Sequence, residues 1–267
     1  MVSAFQHLLL DPGGWRPSVD GLVFDRLEGE EAARLEEPFS VKEVVSALFD
    51  LSGDKASGPD GYSLAFWQSS WDLVKEEVMS FFRDFQEHGR FVRSLNSTFL
   101  VLVLKKGDAE DLRDYRPISL VGGLYKLLAK ALANRLKQVV GKVVSSSQNA
   151  IVEGRQILDA VLITNKVVDS LLKSNECGVK CKLDIEKAYD HLKWDFLLQV
   201  LRKMGFGEKW VGWVKWCISI ASFSVLVNGT PTGFFNSSRG VETRGPSFTL
   251  SFCIRYGGLE LFDQKSS

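Results

Sequence analysis

VKCKLDIEKAYDHLKWD, residues 179–195, opens with strict alternation. Val179, Cys181, Leu183 and Ile185 fall on one side and Lys180, Lys182 and Asp184 on the other, the period of a half-buried β-strand. Asp184 sits at the end of that strand on its polar face. Tyr189 and Asp190 follow, and then the apolar spacing of a helix from Trp194 to Met204. A carboxylate mounted at a strand end suits a hard cation such as Mg²⁺, which takes oxygen ligands held on a rigid support. On this stretch alone, an acidic residue so placed is more often a turn or helix-capping residue than a metal ligand.

Outward from this stretch the chain alternates helices with a few strands. Ser40 and Glu43 form a capping box ahead of a helix at 41–48. Helices follow at about 63–70 and 72–88, the latter stopped by Gly89. Thr98 to Leu104 reads as a buried strand that delivers Lys105 and Lys106 to its end. Tyr115 to Leu120 is an extended edge segment, because Pro117 cannot donate to a central ladder. Gly122-Gly123 precedes the clearest helix, Leu124 to Val140. A further helix spans about 157–173. Beyond the central stretch, the spacing predicts a helix over 210–220 and a strand at 223–227, turned by Asn228-Gly229. The segments divide into a loosely packed lead-in (1–38), a helical region (39–95), a middle segment (96–178), the central strand and hairpin (179–250) and a tail (251–267).

Charge is distributed more tellingly than it is summed. Lys plus Arg equal Asp plus Glu at 33 each among 267 residues. Yet residues 25–50 hold eight acids against three bases, and residues 115–142 hold six bases and no acid. That asymmetry predicts one basic surface. Lys126, Lys130, Arg135, Lys137 and Lys142 on the 124–140 helix and just beyond it read either as a solvated face or as a track for nucleic-acid phosphates. The four cysteines have no metal-ligand spacing, which argues against a zinc site or a disulfide partner. The N-terminus lacks a signal-peptide pattern and no run reads as a membrane span, so an intracellular residence, nuclear or cytoplasmic and not secreted, is expected.

Five motifs in order resemble the reverse transcriptase domain of LINE-type, non-LTR retrotransposons, especially those of plants. They are GPDG (58–61), LVLKKGDAEDLRDYRPISLVGGLYKLLAKALANRL (102–136), SQNAIVEGRQILDAVL (147–162), CKLDIEKAYDHLKWDFL (181–197) and SVLVNGTPTGFFNSSRG (224–240). The resemblance implies an α+β fold, the fingers (96–178) and an incomplete palm (179–250) of a right-hand polymerase, with helical fingers on a small antiparallel palm sheet. It implies RNA-directed DNA synthesis with Mg²⁺, an RNA template, a DNA primer and deoxynucleoside triphosphates. By the same resemblance Asp184 and Ile185 are metal ligands. Lys105 or Lys106 and Arg116 hold the triphosphate, Tyr189 lies under its sugar, and Gln148 to Arg155 lies near the template.

Two departures qualify the activity. Where the family reads approximately RGLRQGDPLSP, this chain has Arg239-Gly240-Val241-Glu242-Thr243-Arg244-Gly245. No Asp-Asp pair occurs anywhere, so the family's Y-A-D-D carboxylates are missing. Two-metal transfer needs both ions held at once. The expectation is a truncated, inactive copy of the enzyme, and the alternative is a non-catalytic nucleic-acid-binding remnant.

Overall fold

The computed structural model describes residues 18–105, 107, 114–144, 193–236 and seven helical positions between 162 and 173. Helices α1 (Gly29–Leu35), α2 (Val41–Phe49), α3 (Leu64–Ser69) and α4 (Trp71–His88) lead through a 3₁₀ turn (Arg93–Asn96) to strands β1 (Ser97–Leu104) and β2 (Tyr115–Val121). Helix α5 (Gly123–Val143) follows, and after the central stretch α6 (Trp194–Lys203), α7 (Glu208–Ser219), β3 (Ser222–Val227), β4 (Thr230–Pro231) and β5 (Phe235–Asn236).

The core is built on α5. Fourteen of its 21 residues are buried, among them Leu127, Leu128, Leu132 and Leu136. A helix buried around most of its circumference needs neighbours on several sides, and α1, α2 and the 3₁₀ turn supply them. Truncating one such leucine to alanine costs about 2–5 kcal/mol. Behind α5 lies an aromatic cluster: Phe39 meets Phe82 edge-on at 5.0 Å between centroids, and Trp213 packs on Phe39 at 5.7 Å and on Phe85 at 5.4 Å.

Among the described residues one core runs from Val19 to Ile220 and a smaller one of Leu100, Phe223 and Val225 lies in the sheet, and each draws on more than one of the segments drawn from sequence. The lead-in is not loosely packed where it is described. Val19, Leu27 and Leu35 are buried, and the Leu27 N–H donates to the Met204 carbonyl at 2.9 Å. Isolated apolar residues in an acidic run carry no periodic signal, yet each docks on a distant element.

The described sheet has the order β2-β1-β3-β4, with β5 also on β3. β1 and β2 pair antiparallel from Thr98↔Val121 to Leu104↔Tyr115, whereas β1 and β3 pair parallel. The described sheet is therefore mixed and joins the segment assigned to the fingers with the hairpin assigned to the palm; β3 pairs antiparallel with β4 and β5, and the Asp184 strand of the expected palm sheet lies outside the described residues. Parallel pairing requires a long crossover, which the chain between Val121 and Ser222 provides. Pro117 lies on the outer strand, where its missing N–H is tolerated. Asn228 and Gly229, at φ 51° and 78°, make the tight turn between β3 and β4.

Two long-range carboxylates hold the helix starts. Neither α5 nor α7 has a side-chain cap of its own, their capping positions being Gly122 and Gly207. Asp60 accepts from the Gly123 N–H at 2.6 Å, and Glu36 accepts from the Trp210 N–H at 2.8 Å. Carboxylates stabilise helix N-termini through both the hydrogen bond and the helix dipole. The glycines are required by crowding: a Cβ on Gly123 would meet the Trp67 indole, and one on Gly207 would meet the Glu36 carboxylate. Asp60→Ala and Glu36→Ala are each expected to cost about 1–2 kcal/mol in urea unfolding. Midpoints unchanged by both would show that these contacts carry no stability.

Candidate nucleotide and nucleic-acid site

Lys105 and Arg116 come together at the loop end of the β1–β2 hairpin. The Lys105 N–H donates to the Asp114 carbonyl at 2.8 Å, and Arg116 is registered against Val103. Directly opposed residues of an antiparallel pair share a face. Lys105 and Arg116 are thus diagonal neighbours on one face, with a Cα spacing of about 7–8 Å, and both residues are exposed. Two cations so placed can grip one polyanionic group, Arg through its planar fork and Lys as a point charge.

The basic residues of α5 are engaged otherwise than a phosphate track requires. Arg135 is buried at 7% exposure and uses all five of its N–H donors within the chain. Its Nε and one Nη2 hydrogen donate to the two Glu43 carboxylate oxygens at 2.6 and 2.9 Å. Nη1 donates to the carbonyls of Leu35 and Glu37 at 2.8 and 2.7 Å, and Nη2 also donates to Pro38 at 3.3 Å. The guanidinium lies 3.9 Å from the centroid of the Phe39 ring. Lys130 pairs with Asp50 at 3.3 Å, and Lys142 pairs with Glu31. Lys126, also buried, donates to the Ala56 carbonyl at 3.1 Å. Lys137 is exposed.

The acidic run 25–50 and the basic run 115–142 are therefore partners. The charge asymmetry that predicted an outward basic surface is neutralised in large part across the α1–α2–α5 interface. The capping box at Ser40 forms only by half for the same reason. Ser40 accepts from the Glu43 N–H at 3.2 Å, but the Glu43 carboxylate is committed to Arg135.

The GPDG motif is more than a turn. The Gly61 N–H closes on the Gly58 carbonyl at 3.0 Å, and Gly58 lies so close to Val121 and Gly122 that a Cβ there would overlap their backbone. The motif thus seats against the GG of α5, with Asp60 on the helix start and Lys126 reaching Ala56 on the same loop. Burial pushes the Lys126 ammonium below the ordinary lysine range, Asp60 opposes that shift, and Lys55 adds to it.

Lys106, Gln148, Arg155, Asp184, Ile185, Tyr189 and the loop 239–245 lie outside the described residues. Among the described residues no cluster of three or more metal-ligating side chains occurs. Sequence reasoning missed a groove of about 680 Å³ between the end of α4 and α7, lined by Arg90, Lys209, Lys215, Trp213 and Trp216. The only signal in the sequence was a pair of lysines astride Gly212 in an aromatic helix.

The described residues thus form a mixed α/β domain with a cationic β-hairpin at the edge of its sheet. Comparison with known proteins narrows this. Residues 103–241 match the family model for reverse transcriptase (RNA-dependent DNA polymerase), and the chain belongs to that family. The match ends within the loop where the departures from RGLRQGDPLSP begin. The chain is 30% identical over 213 residues to the transposon TX1 uncharacterized 149 kDa protein of Xenopus laevis, covering 80% of this chain and 16% of that protein. It is 24% identical over 234 residues to a retrovirus-related Pol polyprotein of the type-1 retrotransposable element R2 from Nasonia vitripennis, covering 86% and 22%. It is 27% identical over 178 residues to the corresponding R1 polyprotein of Bradysia coprophila, covering 66% and 17%. The domain is thus a non-LTR reverse transcriptase domain, and the chain spans about a fifth of the length of these relatives.

Two measurements probe these contacts. Arg135→Met strands the Glu43 carboxylate and three carbonyls, and is expected to cost about 3–5 kcal/mol in urea unfolding, with Arg135→Lys recovering less than half. An Arg135→Met protein as stable as the parent would refute the clamp. A lysine whose folded pKa lies below its unfolded value binds fewer protons when folded, so stability rises with pH between the two. Relative to Lys126→Met, the parent is expected to gain stability from neutral pH up to about 10.4. A flat difference across that range would show the ammonium to be no strain on the fold.

Proposed function

We propose that the chain supplies the fingers and part of the palm of a non-LTR retrotransposon reverse transcriptase, resembling the plant elements most, that acts inside the cell, in nucleus or cytoplasm. The family match over 103–241 carries this reading. Its partners are an RNA template, a DNA primer and deoxynucleoside triphosphates. In this reading β1, β2 and α5 belong to the fingers, and the 179–195 stretch with the β3–β4 hairpin belongs to the palm. Lys105 and Arg116 grip the triphosphate from the hairpin end, and Tyr189 lies under the sugar.

Asp184 and the Ile185 carbonyl would hold Mg²⁺, which when bound neutralises triphosphate charge in phosphoryl transfer. The donor set within these 267 residues is one such aspartate without an Asp-Asp pair, and Arg244 stands where the family has a glycine that lets the loop approach closely. We therefore read this chain, alone, as inactive. A non-catalytic nucleic-acid binder remains the second reading, favoured by that same donor set.

The test has two arms. Primer extension on an RNA template is expected from neither the parent nor Asp184→Ala; extension by the parent that disappears in the variant would overturn the inactive reading. Deoxynucleoside triphosphate binding, followed by calorimetry, is expected to weaken in Arg116→Ala and in Lys105→Ala. Binding indifferent to both would remove the hairpin from the nucleotide site.

A further inference from the structure

We propose that the groove between the C-terminal end of α4 and α7 is a second contact for a single nucleic-acid strand, gripping its phosphates away from the hairpin site. The inference rests on the reading above only in taking nucleic acid as the partner. Three observations meet in this groove.

The first is unpaired charge. Among the described residues none of Arg90, Lys209 and Lys215 has an ion pair, unlike Lys130, Arg135 and Lys142 on α5. Glu208, also in the lining, is already held by Arg202 at 2.9 Å, which leaves Glu87 as the acid facing three cations.

The second is the mount. The Arg90 guanidinium lies 5.7 Å from the Trp216 ring centroid and the Lys209 ammonium 5.5 Å from that of Trp213. Aromatic faces hold a cation in place without neutralising it, so its charge stays available to an incoming anion. The Nε1 atoms of both indoles are buried and have no acceptor among the described residues. Trp213 is fully buried and Trp216 half-buried, so the indoles mount the cations without offering a stacking face, and the groove shares with single-strand binding surfaces the cations that follow the phosphate backbone.

The third is Gly212. It sits in the interior of α7 between Lys209 and Lys215, where alanine would favour the helix. A Cβ there would meet nothing within 4 Å, so packing does not require the glycine. Its effect is to leave the helix surface bare where the groove needs depth. The hairpin site is elsewhere: Ser97, registered against Ser222 just past the groove's Ser219, stands at the opposite end of β1 from Lys105, roughly 25 Å away by strand rise.

The experiment is a salt titration of binding by fluorescence anisotropy, with a labelled single-stranded oligonucleotide, RNA in one arm and DNA in the other. Lys209→Ala/Lys215→Ala is expected to bind more weakly and to shift the log–log salt slope by about 1.4 toward zero, two phosphates at about 0.7 each. Gly212→Gln, which projects into open space and leaves every cation in place, is expected to weaken binding with its urea midpoint retained. Binding and slope unchanged in both variants would overturn the proposal, as would no binding by the parent or equal competition by poly-glutamate at matched charge. A chain whose deoxynucleoside triphosphate binding is indifferent to Lys105→Ala and Arg116→Ala, yet which loses oligonucleotide binding in the groove variants, keeps the groove while the hairpin reading fails. Loss confined to Lys105→Ala and Arg116→Ala removes the groove alone.

Discussion

The buried guanidinium of Arg135 is the contact on which the helical half of the molecule depends. One side chain closes on Glu43 at the start of α2, on the backbone carbonyls of Leu35, Glu37 and Pro38, and on the Phe39 ring. The segment between α1 and α2 makes no regular hydrogen-bonded structure of its own, so its carbonyls need donors from elsewhere. Arg is suited to that role because its five donors are fixed in one plane and stay charged at any ordinary pH. The bond set also positions Phe39 against Phe82 and Trp213, which ties the polar clamp to the aromatic core behind it.

Much of the remaining architecture follows the same logic of distant partners. Glu36, beside the clamp, reaches the start of α7, while its carbonyl accepts from the Gln86 amide at 2.7 Å. Asp60 reaches the start of α5. Gln68 donates to the carbonyls of Leu48 and Leu51 at the end of α2, at 3.0 and 2.7 Å. Helix ends that lack local caps are thus satisfied by side chains many residues away, which makes the helices cooperative with one another. Loss of one such contact exposes the termini of two elements.

These contacts redirect the search for nucleic-acid surfaces. A lysine row on a helix looks like a track until its acidic partners are placed, and here Glu31, Glu43 and Asp50 face it. Arg90 and Lys209, which have no ion pair among the described residues, lie instead over the indoles of α7. A neutral chain in which opposite charges are segregated along the sequence is as compatible with an internal zipper of ion pairs as with an external basic face.

Local pattern sufficed for most elements. The helical runs at 41–48, 72–88, 124–140 and 210–220, Gly89 as a helix stop, Pro117 on an outer strand of the described sheet and the Asn228-Gly229 turn are interactions within a few residues, and each stands in the structure where its pattern lies. The order of motifs from GPDG to SVLVNG was likewise legible as that of a reverse transcriptase, because side-chain chemistry at fixed intervals leaves a record in the chain. The site was legible less evenly: Lys105 and Arg116 share a face because two adjacent strands place them there, whereas the groove of α4 and α7 unites residues more than a hundred positions apart. What only the tertiary structure decided was partnership: that Arg135 faces Glu43, that Glu36 and Asp60 cap helices remote from them, that β1 runs parallel to β3, and that Val19, Leu27 and Leu35 enter the core. The physical reason is common to all four. Burial and charge pairing depend on which surfaces meet, and composition or periodicity along one segment carries no information about the segment that will cover it.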